Sequence, residues 1–344
     1  MTSRRDRWRP GHVRREPGRW RHTVARVLPT AALPFLLLAG VTAALRVTGA
    51  SGQTYLALAL ALLPVTMLPV YPIAVTALLV GRRRLAAVAV VLAAAHLFFI
   101  WPGIRPADDV SRVARGAPTL TVLSFNVFED RVDVPALYRL IDRERPDVVA
   151  LLELTARTAE RLDKAGLAAA YPHRLVKPAD SALAGAGLYS RIPIEDASML
   201  PTVTSTMPGA TVRVGGVAVR VQAVHVAPPV GSLVGRWQAE HLALASLART
   251  SKQALVLAGD FNAGRQHPVW RKLTDAGLTD AHEARARGVV GTWPDNRTYL
   301  PPLLALDHVL VSRGLVVLDV RELPGLGSDH RAVLADLAVV APGP

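Results

Sequence analysis

Polar side chains recur where apolar, strand-like runs stop. Leu123-Ser124-Phe125-Asn126 ends in an amide, Val149-Ala150-Leu151-Leu152-Glu153 in a carboxylate, and Val221-Gln222-Ala223-Val224-His225 in an imidazole. Leu255-Val256-Leu257-Ala258-Gly259-Asp260-Phe261-Asn262 delivers an acid and an amide, and Leu306-Asp307-His308 and Ser328-Asp329-His330 follow. Each has an ordinary explanation when taken alone. Asn126 can end a strand in a turn, Glu153 can favour a helix N-terminus, His225 can be a core histidine, and Asp260 with Asn262 can form an Asx turn. Together they supply hard oxygen donors and imidazoles, and no thiolate, because the chain has no cysteine. Such donors suit Mg²⁺ or Mn²⁺ completed by water and phosphate. A histidine oriented by a carboxylate can deprotonate a water for in-line attack while the metal neutralises charge on the phosphate. A G-x-S-x-G elbow, a Walker A loop and a dinucleotide fingerprint are all missing, which argues against serine hydrolases, P-loop NTPases and dehydrogenases.

Strands must position these groups. In extended backbone, residues i and i+2 share a face, so Asp260 and Asn262 point together while Phe261 turns into packing. Strand-like runs are Thr119–Val127, Val148–Leu154, Gly187–Tyr189, Ala210–Val214, Val217–Val224, Ala254–Ala258, Ala305–Val311, Leu315–Val320 and Ala332–Leu337. Helical spacing marks Val134–Glu144, through Leu137, Leu140 and Ile141, and Leu233–Arg249, through Leu242, Leu244 and Leu247. Strands alternate with helices early and then run in succession, which predicts an α/β or α+β domain of more than one layer.

The N-terminal third is different. Hydrophobic residues make up 51% of the 344-residue chain, and the excess lies before about residue 101. Val27–Leu45, Tyr55–Val80 and Leu85–Trp101 read as three membrane spans, each near the ~20 apolar residues a crossing needs. Pro64, Pro69 and Pro72 leave room for the middle one to be broken or re-entrant. Of the net charge of +13, +7 falls within Met1–Arg26 and +4 on Arg46 and Arg82–Arg84, leaving +2 from Arg105 onward. The charge is thus a topology signal and argues little for nucleic acid. The positive-inside rule puts the Arg-rich tail and the triplet in the cytoplasm and everything after the third span on the outer face. The organisation read from sequence is a disordered tail (1–26), a transmembrane region (27–101), a linker (102–118) and a globular domain (119–344).

From Thr119 onward the chain resembles the endonuclease/exonuclease/phosphatase superfamily of DNase I-like nucleases, sphingomyelinases and inositol-polyphosphate 5-phosphatases. The motifs that carry the resemblance are Ser124-Phe125-Asn126-Val127, Leu151-Leu152-Glu153, Leu188-Tyr189-Ser190-Arg191-Ile192-Pro193-Ile194, Val224-His225, Gly259-Asp260-Phe261-Asn262, Leu306-Asp307-His308-Val309 and Ser328-Asp329-His330. Their order fits the family throughout. The resemblance implies a four-layer α/β sandwich, with two mixed β-sheets face to face and a site at one rim. It makes Glu153 the principal metal ligand, with Asn126 and Asp329 near the same Mg²⁺ or Mn²⁺. It makes His330 the general base or phosphate-binding imidazole, oriented by Asp307. Asp260 would position or activate the attacking water, Asn262 would hold a phosphate oxygen, and His225 would stabilise developing negative charge.

The expected activity is therefore a membrane-anchored, metal-dependent phosphohydrolase, a phosphodiesterase in particular. It would act outside the cytoplasmic membrane on a lipid head group, a nucleotide or a nucleic acid, with no protein partner. An extracytoplasmic nuclease is the alternative, for which Arg191, Arg213, Arg220, Arg236, Arg265, Arg271 and Arg297 could supply a basic patch. A non-catalytic binding module would be signalled by loss of Glu153, Asp260 or His330, and all three are present.

Overall fold

The computed structural model describes residues 19–105, 110, 114, 116–179, 184–200, 206–296 and 299–340. The expected disorder of residues 1–18, residues 106–109, 111–113 and 115 of the expected linker, and Arg297 lie outside the described residues.

Five helices precede the sheets: α1 (Arg19–Thr48), α2 (Thr54–Ala61), α3 (Leu63–Thr66), α4 (Val70–Leu79) and α5 (Arg83–Ile104). Among the described residues, only α1 and α5 are individually long and apolar enough to cross a membrane. The pair Thr54–Ala61 and Leu63–Leu79 bends by 60° and makes a third crossing only if counted as one span. The run Tyr55–Val80 is thus broken, as its prolines left room for, at Leu62 ahead of Pro64 and at Met67–Pro69, since proline lacks the N–H that a helical ladder needs. Residues 19–26, expected in a disordered tail, instead begin α1. At 30 residues α1 is longer than the ~30 Å hydrocarbon core of a bilayer requires, and its arginines lie towards its two ends.

Hydrogen bonds fix which ends lie together. Arg82 Nε donates to Ala25 O at 2.6 Å, so the α4–α5 turn sits beside the start of α1. At the opposite end, Thr54 Oγ1 accepts from Gly231 N (2.8 Å) and Ala57 O accepts from His267 Nε2 (3.0 Å). There too Phe99 O accepts from Arg265 Nη1 (3.4 Å), and Gly103 O from Gly288 N (2.8 Å). The C-terminal domain is clamped onto that end.

That domain contains β1 (Thr119–Asn126), α6 (Val134–Glu144), β2 (Val148–Leu152), α7 (Ala156–Lys164), α8 (Leu167–Ala170), β3 (His173–Lys177), β4 (Ala186–Ser190) and β5 (Ile194–Leu200). There follow β6 (Met207–Val214), β7 (Val217–His225), a 3₁₀ turn (Gly231–Leu233), α9 (Val234–Thr250), β8 (Ala254–Asp260), α10 (Pro268–Thr274), β9 (Thr279–Asp280) and α11 (Ala281–Ala284). The last strands are β10 (Asp307–Val311), β11 (Leu315–Leu323) and β12 (Ala332–Val339). Two mixed six-stranded sheets result, ordered β11-β12-β1-β2-β4-β3 and β5-β6-β7-β8-β10-β9.

The strands alternate sides with period two, as extended backbone must. Leu120 and Val122 of β1, Val148 and Ala150 of β2, Val221 and Ala223 of β7, and Val256 and Ala258 of β8 fill one core between the sheets. The intervening Leu123, Phe125, Val149 and Leu151 pack under α6 and α7, and Val224, Leu255 and Leu257 under α9 and α10. These are four layers, helix, sheet, sheet, helix. The outer helices are placed by capping as well as by their apolar faces: Asp133 accepts from Ala136 N to start α6, and Thr155 from Thr158 N to start α7. Sequence patterning missed β3, β5, β9 and α7, which are short or partly exposed.

Candidate active site

β1 runs parallel to β2, and β7 to β8, so all four carboxyl ends reach the same rim. β10 and β12 run the other way and bring their starts there, with Asp307 paired to Asp260 and Ser124 to Val333. The same alternation decides which side chains enter. Asn126 shares parity with Leu120 and Val122, His225 with Val221 and Ala223, Asp260 with Val256 and Ala258, and Asp307 with Val309. All four continue the inter-sheet face at the point where apolar residues stop.

Glu153 does not follow this rule. It comes one residue after Leu152 and would face the helix side, but its φ of +53° breaks the alternation. Left-handed backbone costs a non-glycine residue on the order of 1–2 kcal/mol, so the surrounding packing must hold it there. The Glu153 carboxylate lies in the cluster, its Oε1 3.0 Å from Asn126 Nδ2 and 3.6 Å from His225 Nε2. Asn126 Nδ2 also reaches Asp260 Oδ2 at 3.3 Å, while its Oδ1 accepts from Phe128 N at 3.0 Å.

The histidine of the last motif completes the cluster. His330 Nδ1 donates to Asp307 Oδ2 at 2.8 Å, and its Nε2 lies 3.7 Å from Asp260 Oδ2 and 3.9 Å from Asp329 Oδ1. Asp260 and Asn262 form the Asx turn: Asn262 N donates to Asp260 Oδ1 at 2.8 Å, and β8 stops at Asp260. The extended spacing expected for this pair therefore ends one residue early, Asn262 having a φ of +46°, yet both side chains stay at the rim. Asn262 Nδ2 donates to Val226 O at 2.9 Å, leaving its second N–H beside Asp260 Oδ2 at 3.5 Å. Gly259 is required just before: a Cβ there would sit 1.8 Å from Val224 O.

Electrostatics follow from burial and from the mutual repulsion of acids. Burial raises the Glu153 carboxyl to about 7, against the opposing hydrogen bond from Asn126. Burial likewise raises Asp260, against the pull of His330. For His330, burial opposes the charge, but the carboxylates of Asp307 and Asp260 outweigh it and raise the imidazole well above its ordinary value. Asp307 Oδ1 and Asp329 Oδ1 are buried without a hydrogen-bond partner. Unmet buried oxygens of this kind cost about 1–3 kcal/mol each, and more for charged groups. Oxygen donors in excess of hydrogen-bond donors, with no thiolate, fit a divalent cation of the Mg²⁺ or Mn²⁺ type. Oxygens of Asp260 and Asp307 and a ring nitrogen of His330 also lie within 4.8 Å of one another.

All eight residues expected from sequence thus meet at one rim. Three others support them. Trp293 Nε1 donates to Asp329 Oδ2 (2.9 Å), Thr292 Oγ1 accepts from Asp307 N (3.1 Å), and Ser328 Oγ donates to Asn126 O (2.7 Å). Trp293 and Thr292 sit in a loop without periodicity, so no pattern in the sequence marks them. Ser328 was visible only as part of its motif.

Comparison with known proteins agrees. The endonuclease/exonuclease/phosphatase family matches residues 123–330. Among solved structures, an endonuclease/exonuclease/phosphatase from Beutenbergia cavernae is similar at 23% identity over 65% of this chain and 72% of its own, with a TM-score of 0.51. One from Bacteroides vulgatus is similar at 18% identity over 64% and 99%, with a TM-score of 0.53. D. rerio TDP2 complexed with a single-strand DNA product is similar at 16% identity over 64% and 99%, with a TM-score of 0.53. No curated protein matches the chain. With the fold, the rim cluster and the match over well more than half its length, the chain belongs to the endonuclease/exonuclease/phosphatase family.

Proposed function

We propose that the protein is a membrane-anchored, divalent-metal-dependent phosphodiesterase whose catalytic domain faces away from the cytoplasm. The observation that carries this reading is the convergence of Asn126, Glu153, His225, Asp260, Asp307 and His330 from separate strand ends into one buried cluster, with Asp329 beside it holding a partnerless oxygen. Glu153 and Asp329, with Asn126 beside them, would hold the ion. Bound there, Mg²⁺ or Mn²⁺ supplies neutralisation of phosphate charge.

The chain's own groups do the rest. Asp260 orients a water and takes its proton, His330 is held by Asp307 against the phosphate, and His225 and the Asn262 N–H that rests at 3.5 Å on Asp260 Oδ2 meet charge developing on the phosphoryl oxygens. A P–O bond forms to the water oxygen and the P–O bond to the leaving alkoxide breaks. The two water hydrogens end on the leaving alcohol and the phosphate. The basic end of the helical region, Arg21, Arg26 and Arg82–Arg84, lies opposite the catalytic domain, which supports an outward-facing site.

The nuclease reading has less support. Of the arginines that could form a patch, Arg213 pairs with Glu195, Arg265 with Glu283, and Arg220 bonds Ser198. The test is hydrolysis of an aryl phosphodiester by the full chain in nanodiscs, with and without Mg²⁺ or Mn²⁺. Turnover should require the ion and fall by about a thousandfold or more in Glu153→Ala and His330→Ala. Ion-independent turnover, or variants as active as the parent, would sink the proposal.

A further inference from the structure

The rim cluster opens into a cavity of about 350 Å³ that does not belong to the catalytic domain alone. It is lined by Ala57 and Leu58 of α2 and by Val230 and Leu306 of the catalytic domain, together with Glu153 and His225 of the rim cluster. α2 is held in place through its first turn, by Gly231 N on Thr54 and by His267 on Ala57 O. Its outer side is apolar and open: Tyr55 is 68% exposed and Leu58 50%, in continuity with Leu68 at 52%. Among the described residues lining the cavity there is no lysine or arginine. A groove that tracks a nucleic-acid backbone is basic, and one built for a sugar or nucleotide needs polar walls as well as a polar floor. Here the lining is mostly apolar: besides Glu153, His225, Asn262 and Trp293 at the catalytic end, its polar members are Thr54 and His267, both engaged in the bonds that hold α2, and α2 itself belongs to the apolar helical region.

Resting on the phosphodiesterase reading above, we infer that the substrate is a membrane lipid phosphodiester. Its phosphate reaches Glu153 and His225, and its apolar chain lies between α2 and Val230 on the way to the bilayer. The anchor is then part of the substrate site, and α2 does the work of a specificity element.

The test uses the full chain in nanodiscs and a series of p-nitrophenyl n-alkyl phosphodiesters, from ethyl to octyl, which share one scissile bond. kcat/KM should rise with chain length by on the order of a hundredfold, given the burial of each added methylene. Partition into the disc alone would also favour long chains, so Leu58→Trp and Val230→Trp decide the matter. Both positions are exposed, Leu58 by 50% and Val230 by 55%, so neither substitution places a ring in the buried core. Each should cut the octyl-to-ethyl ratio about tenfold by filling the groove. A ratio near one in the parent, or one that neither variant changes, would overturn the lipid inference while leaving the phosphodiesterase standing. Failure to hydrolyse any member of the series, ethyl included, would overturn both.

Discussion

Asp307 and His308 are adjacent on β10 and face opposite ways, and each belongs to a buried cluster of histidines and carboxylates. On the inter-sheet side stand Asp260, Asp307 and His330; on the other, Asp280, His282 and His308. In each set the ligand-type atoms approach within 4.8 Å of one another. By composition and burial the two are alike. By hydrogen bonding they are opposites. His308 Nδ1 bonds Asp280 Oδ2 (3.0 Å) and its Nε2 bonds Ala305 O (3.1 Å). His282 Nε2 bonds Glu322 Oε1 (3.0 Å), and Arg287 Nη2 bonds Glu322 Oε2 (3.1 Å). The rim cluster instead leaves oxygens of Asp307 and Asp329 without partners and opens onto the cavity. Buried charge by itself does not mark a reactive site. What sets the rim apart is unmet oxygens among crowded carboxylates that open onto a cavity, because those remain available to an ion, a water or a phosphate.

The sharpest way to break this contrast is to remove one acid from each side. Asp260→Asn should lower kcat by about a thousandfold or more, with a melting midpoint unchanged or higher, since a carboxylate crowded by Asp307 and Glu153 is gone. Asp280→Asn should do the reverse: it leaves two buried histidines without their shared partner and should cost about 3–5 kcal/mol of stability. Activity of its folded fraction should stay within about twofold of the parent, as expected for a site it does not touch. A stable but inactive Asp280→Asn would show that the second cluster serves catalysis after all.

Acid and base offer a gentler probe of the closed side. Burial opposes charge on His282, but Asp280 and Glu322 raise it to about 9. Burial would raise Asp280, but His308 and His282 lower it far more. The raised histidine contributes stability that is complete below about 6.5 and lost as pH climbs toward 9; the depressed aspartate contributes stability present above about 4 and lost as pH falls through its folded value. Melting midpoints against pH should therefore be highest between about 4 and 6.5 from this cluster. The free energy of unfolding should decline on the alkaline side by on the order of 1 kcal/mol per pH unit, and the midpoints with it. His282→Gln should flatten that alkaline limb; an unchanged limb would assign it elsewhere.

The smallest expected effect concerns the rim. Trp293→Phe removes the N–H that holds Asp329, and should weaken Mg²⁺ or Mn²⁺ about tenfold while leaving kcat at saturating ion within about twofold. An unaltered ion dependence would detach Asp329 from the proposed metal site.

Much of the rim was legible in the sequence, because strands impose a period of two and a polar residue at the end of an apolar alternation is easily seen. Asn126, His225, Asp260 and Asp307 all follow from that arithmetic. Glu153 does not: its entry depends on a left-handed residue that no propensity announces. His308 stands beside Asp307 in its motif, and parity sends it to the other face. The contribution of α2 was illegible for a different reason. An apolar run at helical spacing reads as membrane whether it crosses the bilayer or folds over a neighbouring domain, and only the bends at Pro64 and Pro69 and the bonds from Gly231 and His267 distinguish the two.

The four hydrogen bonds that clamp the C-terminal domain to α2 and α5 also govern how it moves. A domain on a flexible stalk reorients on its own timescale, whatever the size of the particle it is tied to. This one cannot, since Thr54, Ala57, Phe99 and Gly103 engage it at separate points along two helices. A fluorophore fixed rigidly to an outer helix such as α6 would lose its anisotropy only at the pace of the whole disc, and that pace would slow as the disc is made larger.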